Sequence, residues 1–273
     1  MRAASRETYK EARDRLAALA PRASGDELTA IGDELVAVAG LLGREPRLRR
    51  ALADPARAGE ERQALLDGIL AGKVGKQAQD LLGVLARGRW SSTGELLEAV
   101  ENLGVDALMA AAASDDDLSE VEDELFRFGQ VVDGSPALAG ALGDVTAPPA
   151  ERASLVESLL GGKARPATVR LAKLALEGFG GRTFIGSLTR FVELAADQRN
   201  QRVAYVTVAA PLDEAEEQRL AEHLAGRYGQ GVSLKITIDP SVIGGVRVLI
   251  GSDLYDGTTI RRLTDARHAL TGE

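Results

Sequence analysis

The sequence predicts a mainly α chain with a small α/β domain at its C-terminal end: a duplicated helical bundle followed by a β-α-β-β-α unit. Up to about residue 200, apolar residues recur three and four apart in a background of Ala, Leu, Glu and Arg, the signature of amphipathic helices. Within that half, one stretch repeats itself 90 residues further on. After ADQRNQR the hydrophobic period drops to two, and β-branched residues take over. The boundaries expected from these changes are 1–112 for a first helical copy, 113–200 for a second and 201–273 for the α/β domain.

The first half can be justified element by element. In the second helix Leu28, Ile31, Leu35, Val38 and Leu42 trace one stripe. Ser92 stands three residues before Glu95, the spacing of a capping box in which hydroxyl and carboxylate satisfy free N–H groups at a helix start. The repeat sets DELVAVAGLLGREPRLRRALAD over DELFRFGQVVDGSPALAGALGD, and ERQALLDGILAGK over ERASLVESLLGGK. Residues 33–73 and 123–163 are identical at 14 of 41 ungapped positions. Helical bias alone brings leucines into register. It does not bring Pro46 over Pro136, or Gly72-Lys73 over Gly162-Lys163, so a duplicated multi-helix module is expected.

The C-terminal unit follows from the change of period. RVAYVTVA reads as a strand, and Asp213 is placed to cap a helix that carries Leu220 and Leu224 and ends at Gly229. VSLKITI alternates, with Val232, Leu234, Ile236 and Ile238 on one side and Ser233, Lys235 and Thr237 on the other, as in a strand with one buried face. Asp239-Pro240 stops it and Gly244-Gly245 precedes VRVLI, a further strand. Residues 251–257 are expected to form two turns flanking Leu254 and Tyr255, before a last helix with Ile260, Leu263 and Leu270.

Composition excludes several classes of function. A net charge of −8 with a pI near 5.1 lacks the basic footprint that nucleic acid needs. With no cysteine there can be no disulfide, thiolate metal site or cysteine nucleophile. His223 and His268, the two histidines, are expected at helix surfaces. No apolar run approaches the length of a bilayer span, and MRAASRETYKEARDRL is charged and amphipathic rather than signal-like, so no direct membrane insertion is expected. The Gly-Lys pairs fail the phosphate-loop pattern: GILAGKV has three residues between its glycines, and Val follows the lysine. A helix C-cap explains them better. The acidic run SDDD lacks EF-hand spacing and fits a solvated linker at a helix start. In PSVIGGVRVLIGSDLYDGT the glycines lead from strand to strand rather than from strand to helix, so a dinucleotide site is not expected there.

The stretch IDPSVIGGVRVLIGSDLYDGTTIRRLTDARHAL resembles the C-terminal signature of the delta subunit of bacterial F-type ATP synthases, the family of the oligomycin-sensitivity conferral protein. Asp239, Gly244, Gly245, Gly251, Asp256, Gly257 and Leu263 occupy the signature's places, with Thr258 where serine is usual. VTVAAPLDEAEEQRLAEHLAGRYG and ASRETYKEA are similar to the family's upstream strand-and-helix segment and opening helix. The duplication departs from the family's single bundle of about six helices and suggests an extra module between that bundle and the C-terminal unit.

The resemblance implies a stator subunit of the peripheral stalk, which links the catalytic head to the stalk so that the head does not rotate and proton flow drives ATP synthesis. It implies no catalytic residue, cofactor or metal in this chain. The implied partners are alpha subunits of the head and the b subunit of the stalk, and the implied location is the cytoplasmic face of the plasma membrane, peripherally. Head contact would involve Tyr9, Ala12 and Leu16 on the first helix, and Leu81, Leu82 and Leu85 on a later one. The same six residues fit an ordinary core equally well. Two other functions are weighed against this one. A helical-repeat adaptor outside the ATP synthase shares the helical pattern, and a nucleotide-dependent enzyme rests on glycines that fail each motif.

Overall fold

The computed structural model of the chain describes residues 1–242 and 244–258. The expected final helix, with Ile260, Leu263, His268 and Leu270, lies outside the described residues. The chain divides into two compact units, Met1–Phe191 and Val192–Glu273. Eleven helices begin in the first unit: α1 (Ala3–Leu19), α2 (Gly25–Arg44), α3 (Pro46–Ala53), α4 (Gly59–Leu70), α5 (Lys76–Arg87), α6 (Thr93–Ser114), α7 (Leu118–Asp133), α8 (Pro136–Gly143), α9 (Pro149–Leu160), α10 (Pro166–Ala175) and α11 (Phe184–Gln198).

The repeat read in the sequence is a repeat of structure. Helices α3 and α4 span 46–53 and 59–70; α8 and α9 span 136–143 and 149–160, each bound displaced by 90. Helices α1, α6 and α11 begin at residues 3, 93 and 184, so α6 stands last in the first copy and first in the second. It packs against α2 and α1 on one side of the series and against α10 on the other, as α1 packs against α5.

Each repeated polar residue has a structural task. The Glu34 carboxylate accepts from the Gly75 N–H at 3.0 Å, and Glu124 accepts from the Arg165 N–H at 2.9 Å. In both copies, a glutamate on the long helix thereby caps the start of a later one, α5 or α10. Asp54 accepts from the Ala56 N–H, and Asp144 from the Thr146 N–H, holding the same turn before α4 and α9. Pro46 and Pro136 are the first residues of α3 and α8, where a missing N–H costs nothing. Gly72 and Gly162 both take φ of 69°, and the following lysine bends back in each copy. Lys73 Nζ donates to the Ile69 carbonyl at 2.8 Å, and Lys163 Nζ to the Leu159 carbonyl at 3.2 Å. The Gly-Lys pairs are helix C-caps.

The cores follow the same register. Leu28, Ile31, Leu35, Val38 and Leu42 of α2 are all buried, and Leu118, Val121, Leu125, Phe128 and Val132 of α7 take their places 90 residues on. Helices α2 and α6 cross closely. A Cβ on Gly32 would lie 2.6 Å from Leu108, and one on Gly104 would lie 2.9 Å from the Val36 side chain. In the second copy Phe128 meets Phe184 and Phe179 meets Phe191 edge to face, at 6.0 and 4.9 Å between centroids.

The capping box expected at Ser92 is half realised. Ser92 Oγ accepts from the Glu95 N–H at 3.2 Å, but the Glu95 carboxylate turns to α1, accepting from Ser5 Oγ at 2.5 Å and the Arg2 N–H at 2.9 Å. A complete box forms at α2 instead, between Ser24 and Glu27. The Ser5 hydroxyl, helped by the Arg2 N–H, holds the Glu95 carboxyl below the ordinary carboxylate range. The acidic run lies between α6 and α7: Asp116 adopts φ of 59° and Asp117 pairs with Arg165 at 3.4 Å.

The second unit holds β1 (Gln201–Val208), α12 (Glu214–Tyr228), β2 (Gly231–Ile238), β3 (Val246–Ile250) and β4 (Asp253–Asp256), in sheet order β2-β1-β3-β4. Strands β1 and β2 are parallel, joined by α12 as a crossover, while β3 pairs antiparallel with β1 and with β4. Asp213 and Glu216 form the capping box of α12, and Gly229 ends it at φ of 70°. Ala204, Val206, Val208, Leu224, Val248 and Ile250 make the core.

Two expectations change here. The segment around Leu254 and Tyr255 is a strand, β4, rather than a link between turns. Gly251, at φ of 57°, allows a two-residue connection that sets Ile250 against Asp253 and Leu249 against Leu254. The second face of β2 is not a solvated one, since Lys235 is only 3% exposed.

The crossing of α2 and α6 yields a test. Gly104→Val pushes its side chain into Val36 and should lower the unfolding free energy by about 1–3 kcal/mol, the usual cost of overpacking, as measured by urea denaturation. An unchanged midpoint would show that the helices have room to separate.

Candidate functional site

The signature residues of the second unit converge on the two ends of the β3–β4 hairpin. Asp239 closes β2: its N–H donates to the Val208 carbonyl at 2.8 Å, and its carboxylate accepts from the Ser241 N–H at 2.9 Å. Hydrogen bonds from the Ser241 side chain and N–H hold its carboxyl below the ordinary range. The chain then turns through Gly244 and Gly245, at φ of 65° and 81°, which side chains other than glycine adopt at a cost.

Gly245 lies against the residues that leave β4 at the same open end of the hairpin. A Cβ there would sit 2.4 Å from the Gly257 carbonyl oxygen and 2.9 Å from the Thr258 Cα. Gly257 itself donates to the Val246 carbonyl at 2.9 Å. Asp256 fixes the turn that follows: Oδ1 accepts from the Thr258 N–H at 3.1 Å and from its hydroxyl at 2.6 Å, while Oδ2 faces Arg247 Nε at 3.6 Å across the strand pair. Thr258 thus supplies both a backbone and a hydroxyl bond to the Asp256 carboxylate. Gly251 forms the opposite tip, and Leu263 lies outside the described residues. The site is a clasp of backbone against backbone, and its glycines are there for close approach and positive φ.

In the first unit Ala12, Leu16, Leu81, Leu82 and Leu85 are buried in the core shared by α1, α5 and α6. Tyr9 is partly buried beside it and donates its hydroxyl to Asp106 Oδ2 at 2.5 Å. Asp106, on α6, is 1% exposed and also faces Arg13 Nε at 3.7 Å. Burial, then the neighbouring Asp106 charge, pushes the Tyr9 hydroxyl's pKa far up, so it remains a donor. The six residues thus fix how α1 lies along α5 and α6.

Among the described residues no group of three or more His, Asp or Glu side chains could hold a metal ion, and no helix is long and apolar enough to cross a membrane. His223 is exposed on α12. One feature that no motif marks is an arginine-lined cavity at the start of α4. Its sequence signal lies in the positions where the two copies differ in charge.

Gly245→Val combines a disfavoured φ with collision against backbone atoms. It should destabilise the second unit by at least about 2 kcal/mol, visible as faster amide hydrogen exchange in β3 and β4. Unchanged exchange would refute the clasp.

Comparison with known proteins identifies the family. The family described as "ATP synthase delta (OSCP) subunit" matches residues 105–270, which take in most of the second copy and the α/β unit and leave α1–α5 outside. A protein of Salinispora arenicola named ATP synthase subunit delta is 60% identical over 268 residues, covering 98% of each chain. Its counterpart in Salinispora tropica is 58% identical over the same length, and that of Streptomyces avermitilis is 43% identical over 98% of this chain and 97% of its own. The enlarged helical half is therefore common to these relatives. With that family matching more than half of the chain, and its similarity to these relatives running from end to end, the chain belongs to the ATP synthase delta (OSCP) subunit family.

Proposed function

We propose that the chain is a non-catalytic stator subunit of the peripheral stalk of a proton-translocating ATP synthase. It joins the catalytic head to the stalk so that the head is held still while proton flow turns the rotor. The observation that carries this reading is the similarity along 98% of both chains to proteins named ATP synthase subunit delta. That reach also disfavours a helical-repeat adaptor working outside the ATP synthase.

In this proposal the helical half grips N-terminal segments of the alpha subunits, and the α/β unit binds the b subunit. The complex sits at the cytoplasmic face of the plasma membrane, to which this chain is attached only through its partners. The organisation is that of residues 1–112, 113–200 and 201–273, with α6 serving the first two. Tyr9, Ala12, Leu16, Leu81, Leu82 and Leu85 set the spacing of α1 and α5, so a head segment laid along that pair would feel them through the shape of the groove between exposed neighbours. An amphipathic segment in such a groove binds by burial of apolar area and requires no bond chemistry.

The test is reconstitution. Membranes stripped of the chain should lose proton-driven ATP synthesis and regain it when the purified chain is added back, with ATP hydrolysis by the detached head unaffected. Synthesis at full rate without the chain would rule the proposal out.

A further inference from the structure

The first copy contains a half-open cavity of about 910 Å³ where the start of α4, the end of α5 and the segment leading into α6 meet. Arg57, Arg62, Arg87, Arg89 and Trp90 line it, and Glu60 is the one carboxylate among the lining residues. This is a concentration of positive charge in a chain whose net charge is −8.

Arg62 is 4% exposed. Its terminal nitrogens donate to the carbonyls of Leu52 at 3.4 Å and Arg87 at 2.9 Å, and its Nε has no partner among the described residues. A guanidinium taken from water and met only by neutral carbonyls keeps a charge that nothing beside it offsets, and such a charge is costly without a counter-ion. Arg57 is half exposed and meets Asp54 at 3.8 Å. Arg87 and Arg89 are exposed and make no ion pair among the described residues.

The second copy is an internal control. Arg152 repeats Arg62, buried, donating to the Leu176 carbonyl at 3.0 Å and likewise with no partner at Nε among the described residues, so the buried guanidinium belongs to the shared frame and only the outer arginines distinguish the first copy. But 90 residues on from Arg57, Arg87, Arg89 and Trp90 stand Ala147, Glu177, Phe179 and Gly180. Phe179 is buried against Phe191. The same frame is thus built without the three outer arginines, so constructing the bundle does not require them. Their presence in the first copy calls for another account.

We propose that this cavity binds a small phosphate-bearing anion. Arg57, Arg87 and Arg89 are its direct ligands, while Arg62 supplies fixed positive charge behind them. Guanidinium forks suit a tetrahedral oxyanion that offers several acceptors. The N-terminus of α4, twelve residues long and without a side-chain cap, opens on the same cavity and adds the positive end of its dipole. The volume falls within the range of small-molecule sites. Free phosphate and the phosphates of a nucleotide share this chemistry, and Trp90 in the wall offers apolar surface that only the second would use.

Trp90 is the chain's one tryptophan, so its fluorescence reports on this cavity alone. The full-length chain is titrated with inorganic phosphate, pyrophosphate and ATP against sodium chloride at matched ionic strength, with calorimetry alongside. Saturable binding of at least one of them with Kd below about 1 mM is expected. Equal affinity for all three identifies free phosphate as the source, and tighter binding of ATP identifies a nucleotide. The double variant R87E/R89F, which installs the second copy's residues, should weaken binding at least about tenfold without changing the unfolding midpoint. R57A should weaken it too, and carries the test if the double variant fails to fold. The proposal is overturned if none of the three anions binds saturably or if the variants bind as tightly as the original chain. Binding of a hexaglutamate peptide that phosphate does not displace also overturns it, because the cavity would then be a protein dock.

Discussion

Helix α6 is buried along most of its length, and the rest of the helical unit depends on that burial. Its 22 residues include Leu96, Val100, Leu103, Ala107 and Ala111 facing the first core, while Asn102 and Asp106 are buried polar positions among them. A helix enclosed on so many sides needs close neighbours, and the glycines at 32 and 104 permit the closest approach. Asp106 cannot lie there uncompensated, which is why Tyr9 and Arg13 of α1 converge on it. The position of α1, and through it the lie of α5, is therefore tied to one carboxylate in the middle of α6.

The two copies show which features such a bundle must keep and which it can exchange. Residues that satisfy backbone at a helix end are kept, as with Glu34 and Glu124, Asp54 and Asp144, and the buried Arg62 and Arg152. Apolar positions keep their burial but change their shape, so Val38 becomes Phe128 and Leu82 becomes Ala172. Exposed side chains can differ between the copies, even in sign, without altering the frame, as Arg87 and Glu177 do, so the frame itself does not dictate them. Unpaired backbone groups are expensive wherever they are buried, whereas surface charge costs little, and this ordering of costs explains the pattern.

Much of this could be read from the residues alone. The α2 stripe, the Gly-Lys caps, the Asp213 cap and the repeat register all depend on local spacing, which sequence displays directly. What could not be read depends on distant partners. Glu95 has the spacing of a capping box, yet Ser5, 90 residues away, offers its carboxylate a competing bond. Leu254 and Tyr255 form too short a run to announce a strand, and pairing with β3 is what makes them one. Lys235 sits on a polar-looking face that is covered in the folded chain. At the signature, the glycines were legible as turns, but the contact of Gly245 with Gly257 was not, because nothing in a sequence reports that two turns meet.

The starts of α1, α6 and α11 at residues 3, 93 and 184 have a topological consequence. A period that opens and closes on the same type of helix can be inserted whole, because the chain leaves the insertion on the type of helix by which it entered. The strand β1 is thus approached from an equivalent helix whether one copy precedes it or two. Lengthening the protein in this way adds helices while keeping the kind of helix that leads into β1.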